Sequence, residues 1–197
     1  IFKDITGDGK VDASDQKVLG NPIPKVVYGF NAGVNFKGFD LNVVISGVSG
    51  LKILNAFKFV TDNESTGHNA STEILKRWRK PGDVAELPRA GQSATGDGNL
   101  RPSDWWLEDG SYLRLRNVTL GYTLPKSVIS NIAGGKVFNN IRVYVAAQNL
   151  LTFTKYKGYD PEVSTQNGGS YIFSRGIDDR LQLPQPRTLL CGLQLGF

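Results

Sequence analysis

The sequence predicts an all-β fold, an antiparallel transmembrane β-barrel segment of about five strands with long extracellular loops. Three observations carry this expectation. The chain ends on a strand whose bulky residues Leu189, Cys191, Leu193, Leu195 and Phe197 alternate with Thr188, Leu190, Gly192, Gln194 and Gly196. One face is apolar throughout, and the other is small or polar apart from Leu190. Such a strand suits any half-buried antiparallel sheet. Closing on an aromatic is rarer, and it is how outer-membrane barrels place a ring at the membrane boundary. Second, each strand candidate is about as long as the 9–11 residues that cross a bilayer at a tilt. Third, the connections run short and long in turn, about 2, 60, 15 and 30 residues. A sandwich has no reason to sort long loops to one end, whereas these barrels have short periplasmic turns and long extracellular loops. With Phe197 at the periplasmic side, all four connections fall on the expected ends.

In the first strand Tyr28, Phe30, Ala32, Val34 and Phe36 alternate with Val27, Gly29, Asn31, Gly33 and Asn35. A tight turn at Lys37-Gly38 leads to the second, where Phe39, Leu41, Val43 and Ile45 oppose Asp40, Asn42, Val44 and Ser46. The third covers about 111–124. Leu113 and Leu115 lie on one parity and Val118, Leu120, Tyr122 and Leu124 on the other, so a β-bulge is expected at Arg116-Asn117, where one inserted residue restores the apolar face. The fourth runs from about Asn140 to Phe153, with Ile141, Val143, Val145 and Ala147 outward and Arg142, Tyr144, Ala146 and Gln148 inward. The terminal strand is the fifth. Ser71 to Trp78 reads as a short helix capped by Ser71 or Thr72 and stopped by Pro81-Gly82. The 125–139 segment, from Pro125 to Gly134-Gly135 and beyond, reads as one helical turn.

Composition narrows the function classes. No apolar run approaches the roughly 18 residues of a transmembrane helix, and the mean hydropathy is −0.24. Neither speaks against a barrel, whose strands hide their apolar residues in alternation. The net charge of +5 is dispersed. Its densest cluster, Lys76, Arg77, Arg79 and Lys80, resembles a solvated helix end more than a nucleic-acid surface. Cys191 is the lone cysteine, so no internal disulfide forms, and a small buried hydrophobe is expected there. No Met occurs, and the chain opens at Ile1 without a leader-like start, so a mature or truncated piece is expected.

The segment Asp4-x-Thr6-x-Asp8-Gly9-Lys10-Val11-Asp12-x-x-Asp15 carries the strongest local chemistry. Oxygen side chains at loop positions 1, 3, 5, 9 and 12, a glycine at 6 and the Lys10 carbonyl at 7 are what a calcium ion needs. Calcium in a structural role is therefore expected on Asp4, Thr6, Asp8, Lys10, Asp12 and Asp15, with Val11 holding the loop to its neighbours. The alternative is an Asx-rich turn without an ion. The chain divides into 1–24, an extracellular loop with this EF-hand- or dockerin-like motif, and 25–197, the strands and loops. No enzyme is expected. The only histidine, His68, lies in a polar loop without a second His or a Cys nearby. The carboxylate pairs Glu108-Asp109 and Asp178-Asp179 read as solvated loops. Gly96-Asp97-Gly98 has no strand before it or helix after it to make a phosphate cradle. Trp105, Trp106, Tyr156, Tyr159, Tyr171 and Phe173 could stack on sugars or peptide side chains. For Trp105 and Trp106, interface or loop packing is the simpler reading.

Several segments together resemble one family. Asp4-Ile-Thr-Gly-Asp-Gly-Lys-Val-Asp-Ala-Ser-Asp15, Gly20-Asn-Pro-Ile-Pro24, Tyr28-Gly-Phe30 and Lys37-Gly-Phe-Asp-Leu41 look like the late barrel region of SusC/RagA-type TonB-dependent transporters of Bacteroidota. So do Trp106-Leu-Glu-Asp-Gly-Ser-Tyr-Leu-Arg-Leu-Arg-Asn-Val-Thr-Leu-Gly-Tyr-Thr-Leu-Pro125, Arg142-Val-Tyr-Val-Ala-Ala-Gln-Asn-Leu150, Tyr156-Lys-Gly-Tyr-Asp-Pro-Glu162 and Pro184-Gln-Pro-Arg187. The resemblance implies the C-terminal strands of a barrel of about 22 strands, placed in the bacterial outer membrane. It also implies an N-terminal plug, energy from TonB through the N-terminal part, a SusD-like surface lipoprotein as partner, and import of oligosaccharides or peptides. The alternative from the residues alone is a secreted, calcium-stabilised β-sandwich that binds carbohydrate. The two differ in what covers the apolar face. Arg114, Arg116, Arg142, Tyr144 and Gln148 are candidates for the inward face, with mutual satisfaction the simpler reading.

Overall fold

The structure, a computed structural model, describes residues 2–62, 69–89, 103–131, 137–163, 175–179 and 183–197. His68, Gly96-Asp97-Gly98, Gly134-Gly135, Tyr171 and Phe173 lie outside the described residues. In chain order the strands are β1 (Val26–Phe36), β2 (Phe39–Ser49), β3 (Lys52–Asn55), β4 (Leu107–Asp109), β5 (Tyr112–Thr123), β6 (Asn140–Thr154), β7 (Ile177–Asp178) and β8 (Thr188–Gly196). Two short α-helices, α1 (Lys58–Thr61) and α2 (Lys126–Asn131), accompany them. The chain forms two interleaved units. One comprises Pro24–Gly50, Ser111–Lys155 and Pro184–Phe197; the other comprises Ile1–Ile23, Leu51–Gly110 and Tyr156–Leu183. The sequence reading divides the chain once, after residue 24. In the structure 51–110 and 156–183 instead group with the N-terminal segment.

The first unit is a five-stranded antiparallel sheet in the order β1-β2-β5-β6-β8. These are the five strands expected from the alternation. Register partners of antiparallel strands lie side by side on one face, so the pairing can be read as rows. Val34, Leu41, Leu120, Val145 and Cys191 make one row, and Phe36, Phe39, Tyr122, Val143 and Leu193 the next. The opposite face carries Asn35, Asp40, Gly121, Tyr144 and Gly192 in one row and Asn31, Val44, Asn117, Gln148 and Thr188 in another. Lys37 and Gly38 both have positive φ, 46° and 88°, the two-residue type I′ geometry that matches strand twist. A Cβ on Gly38 would stand 2.8 Å from the Thr123 carbonyl, so the position also needs glycine's bareness.

The expected bulge is present. Against β2, Val44 pairs with Asn117 and Ile45 with Leu115, which leaves Arg116 as the inserted residue. Toward β6 the ladder steps from Leu115–Leu151 to Asn117–Gln148, and Asn149 takes a φ of 50° to absorb the mismatch. The insertion keeps Leu113 and Leu120 on the same face despite their opposite parity. Two expectations need correction. Ile141 keeps the outward parity of Val143 and Val145 but is buried, because α2, with its buried Ile129, packs against β6. Cys191 is exposed and not buried, because its row carries no covering layer among the described residues of this unit.

The second unit contains a sheet of three short strands in the order β4-β3-β7, with β3 antiparallel to β4 and parallel to β7. Sequence periodicity gives no sign of strands only two to four residues long. Ile53, Leu87, Trp106 and Tyr156 are its buried apolar side chains. The helix expected from Ser71 is a 3-10 helix over Thr72–Lys76, with the Ser71 hydroxyl accepting the Glu73 N–H at 3.2 Å.

Candidate functional site

The oxygen-rich loop is organised around two carboxylates. Asp15 Oδ1 accepts the Ile5 and Thr6 N–H groups at 2.7 and 3.0 Å, and Oδ2 accepts the Asp12 N–H at 2.9 Å. These donors, Asp12 first, lower its carboxyl from 3.8 to about 2. Asp4 accepts the Gly7 and Gly9 N–H groups at 2.6 and 2.8 Å. The Thr6 hydroxyl stands 3.3 Å from Asp4 Oδ1 and 3.2 Å from Asp15 Oδ1, joining loop positions 1, 3 and 12. Asp8 and Asp12 turn to their own backbone instead, accepting the Lys10 N–H and the Ser14 N–H, both at 2.8 Å. Asp12 also accepts the Ser14 hydroxyl, the first cause of its lowered pKa. Among the described residues no group of three or more His, Cys, Asp or Glu side chains gathers closely enough to hold a metal. The structure thus draws Asp4, Thr6 and Asp15 together and leaves Asp8 and Asp12 apart. Val11, expected to tether the loop, is exposed.

On the polar face of the five-stranded sheet the charged groups find partners within the face. Arg142 donates from Nε and Nη2 to Asp40 Oδ1 and Oδ2 at 2.8 and 2.5 Å, a bidentate pair that reaches across β5. It passes over Gly121, where a Cβ would come within 2.4 Å of both partners. The same guanidinium lies 5.1 Å from the Tyr144 ring centroid, and that ring lies over Gly192. Arg114 Nε donates to the Thr152 hydroxyl at 2.9 Å and Arg116 Nε to the Ser46 hydroxyl at 2.8 Å. Gln148 stands in its row between Asn117 and Thr188.

In the other unit the pattern missed a buried polar cluster. Glu108 and Asp178, expected in solvated loops, are buried. Glu108 Oε1 pairs with Lys58 Nζ at 2.6 Å and accepts the Asn55 amide at 3.3 Å, while Oε2 accepts the Lys157 N–H at 2.7 Å. Tyr156 donates its hydroxyl to Asp178, and burial first, then that bond, pushes its pKa upward. No local spacing signals this cluster, since its members come from four separate stretches. Of the expected aromatic platform, Tyr156 and Trp106 are buried, the latter 6.1 Å from Phe59 between ring centroids. Lys58 Nζ stands 5.2 Å from the Trp105 ring centroid. Tyr159 is exposed and packs 5.4 Å from Phe57.

The largest feature is the apolar face itself. Phe30, Val145 and Leu193 are 62%, 55% and 60% exposed, and every row position beside them is apolar or glycine. A single antiparallel layer that is greasy in every row on one side and polar and self-paired on the other is the wall of a transmembrane β-barrel. No family model matches the sequence. The chain is 32% identical over 198 residues to TonB-dependent receptor P3 of Formosa agariphila, a match covering all of this chain and 19% of that protein. It is 28% identical over 200 residues to TonB-dependent receptor SusC of Bacteroides thetaiotaomicron, again over the whole chain and 17% of the relative. Among solved structures, the RagAB peptide importer in its open-open state superposes with a TM-score of 0.73 at 29% identity, covering 95% of this chain and 19% of the matched one. The chain spans about a fifth of the length of these relatives. Over that stretch it is similar to TonB-dependent receptors of the SusC/RagA type.

Proposed function

We propose that the chain is part of the barrel wall of an outer-membrane importer of oligosaccharides or peptides, driven by TonB and working with a SusD-like surface lipoprotein. The observation that carries this reading is the unbroken apolar face over five strands. In water such a face favours association or collapse; against lipid tails it is the surface a barrel requires. Five strands leave two unpaired edges, β1 and β8, so the reading includes further strands that close the barrel and a plug that fills it. The strand ends agree with it. Phe197, the Lys37-Gly38 turn and the segment after β5 all lie at the end marked by Phe36, Thr123, Asn140 and Gly196. Among the described residues the sheet unit contains one sheet and no second layer, so nothing here favours the secreted sandwich.

The test uses the full-length protein. Deleting its gene should abolish growth on the cognate oligosaccharide or peptide, and loss of TonB should do the same. Uptake that persists without TonB refutes the proposal. We also propose that residues 4–15 take one calcium ion. The ligand spacing supports this, as does the Thr6 hydroxyl between Asp4 and Asp15. Its role would be to fix the loop, with no chemical step.

A further inference from the structure

The interface between β6 and β8 has neither of the devices that fix register elsewhere in the sheet. β1 and β2 are joined by the two-residue turn, whose geometry sets their pairing. The Arg116 bulge pins β5 against β2 and β6. β6 and β8 pair from Asn140–Gly196 to Gln148–Thr188 without a shift, and the whole 155–187 segment separates them in the chain. Alternation forbids a slip of one residue, because every side chain would turn to the other face. A slip of two keeps the faces and is not forbidden.

One contact on this interface does tell the even registers apart. The Tyr144 ring lies over Gly192, its register partner, where a Cβ would stand 2.5 Å from both Cε1 and the hydroxyl oxygen. Leu190 and Gln194 flank Gly192 on the same face, so a slip of two in either direction sets the ring against a side chain. The ring is also braced. The Arg142 guanidinium stands 5.1 Å from its centroid and is itself held by Asp40 across Gly121. A similar arrangement closes the far end of the β1–β2 hairpin. There Tyr28 lies over its partner Gly47, 2.6 Å from the place of a Cβ, and donates its hydroxyl to the Tyr112 carbonyl of β5 at 3.1 Å.

We propose that Tyr144 and Gly192 are a register key: the ring fits only where the facing strand has no side chain, and this selects one even register of β8 on β6. Arg142 is the positioning residue that keeps the ring over the gap. A slip of two would carry β8 about 7 Å along β6, together with Phe197 and the hydrogen-bonding groups of the outer edge. In the barrel proposed above that edge meets the next strand, so the key sets where the barrel closes. This consequence rests on that reading, whereas the key itself needs only the sheet.

Cys191 reports the register. It is the partner of Val145, so in Val145→Cys catalysed oxidation should join the two. Val143→Cys and Ala147→Cys stand diagonally, about 7–8 Å away, and should join Cys191 only after a slip of two. The links are read in the full-length protein by mass spectrometry of the joined peptides. With the key intact the Val145→Cys link should dominate. Tyr144→Ala removes the ring, and the ratio of native to slipped links should fall about fivefold. Gly192→Leu/Leu190→Gly moves the gap by two residues, and the link should pass to Val143→Cys. Gly192→Leu alone should assemble poorly, and Tyr144→Ala in the same chain should restore assembly, since no ring then needs the gap. A native link at full yield in Tyr144→Ala or in the moved-gap variant overturns the proposal, as does failure of Tyr144→Ala to rescue Gly192→Leu. The links are read without any uptake, so the proposed function can fail while the key stands.

Discussion

Leu193→Arg and Gln194→Arg, compared in the full-length protein, ask which face of the sheet meets lipid. The two residues are neighbours on β8 and point to opposite faces. Leu193 stands beside Val143 and Gln194 beside Arg142. Leu193 lies four residues before Phe197, about 13 Å along the strand at about 3.3 Å per residue. At a tilt of about 40° that is about 10 Å in height, close to the middle of an apolar band about 25 Å tall. An arginine there should cost about 2–4 kcal/mol. Gln194→Arg places a cation opposite Arg142 on the polar face, a like-charge pair worth up to about 1 kcal/mol. The gap of about 2 kcal/mol corresponds to roughly a thirtyfold difference in the folded-to-unfolded ratio. Urea unfolding in lipid vesicles measures it, and the amount of heat-modifiable barrel in outer-membrane fractions gives the cellular counterpart. Equal losses, or a larger loss for Gln194→Arg, would show that this face does not meet lipid.

Gly121→Val should disrupt the Asp40–Arg142 pair, because its Cβ would enter the space both side chains occupy. The expected cost is about 1–3 kcal/mol, and it should shrink in an Asp40→Ala/Arg142→Ala background; an unchanged cost there refutes the steric cause. Lys58→Met leaves Glu108 buried without its cation and should cost about 3–5 kcal/mol by thermal unfolding; Glu108→Gln in the same chain should recover part of it. The folded Asp15 carboxyl is depressed to about 2, so its contribution is complete above the unfolded value near pH 4 and is lost as pH falls through 2. Hydrogen exchange at Ile5, Thr6 and Asp12 should therefore be unchanged relative to the intrinsic rate from pH 7 to 5, and protection should vanish in Asp15→Ala, which removes both acceptor oxygens. Added calcium should slow exchange across 4–15, and Asp4→Ala should remove that effect; no change on adding calcium to wild type would mean that the loop binds none.

The five long strands, their two faces and the bulge are legible from the residues because side-chain period in a strand is two, so any departure must appear as a slip in parity. Arg116 shows this: an extra residue was the only way for Leu113 and Leu120 to share a face. The tight turn was legible for a similar local reason, a glycine between two alternating runs at a position that takes positive φ. What the residues did not disclose was long-range. β3, β4 and β7 are too short to carry a period, and they pair across stretches of more than 50 residues. Glu108 and Asp178 read as loop carboxylates because their partners, Lys58 and Tyr156, are distant in the chain, and burial is a property of the assembled unit. Cys191 differs from expectation for the opposite reason: an apolar face is normally buried, and only the tertiary arrangement reveals that, among the described residues, no layer of this unit covers the row of Cys191. Local periodicity thus determined which residues share a face. Only the three-dimensional pairing decided what each face meets, because solvent exposure and charge pairing depend on chain segments that no local pattern connects.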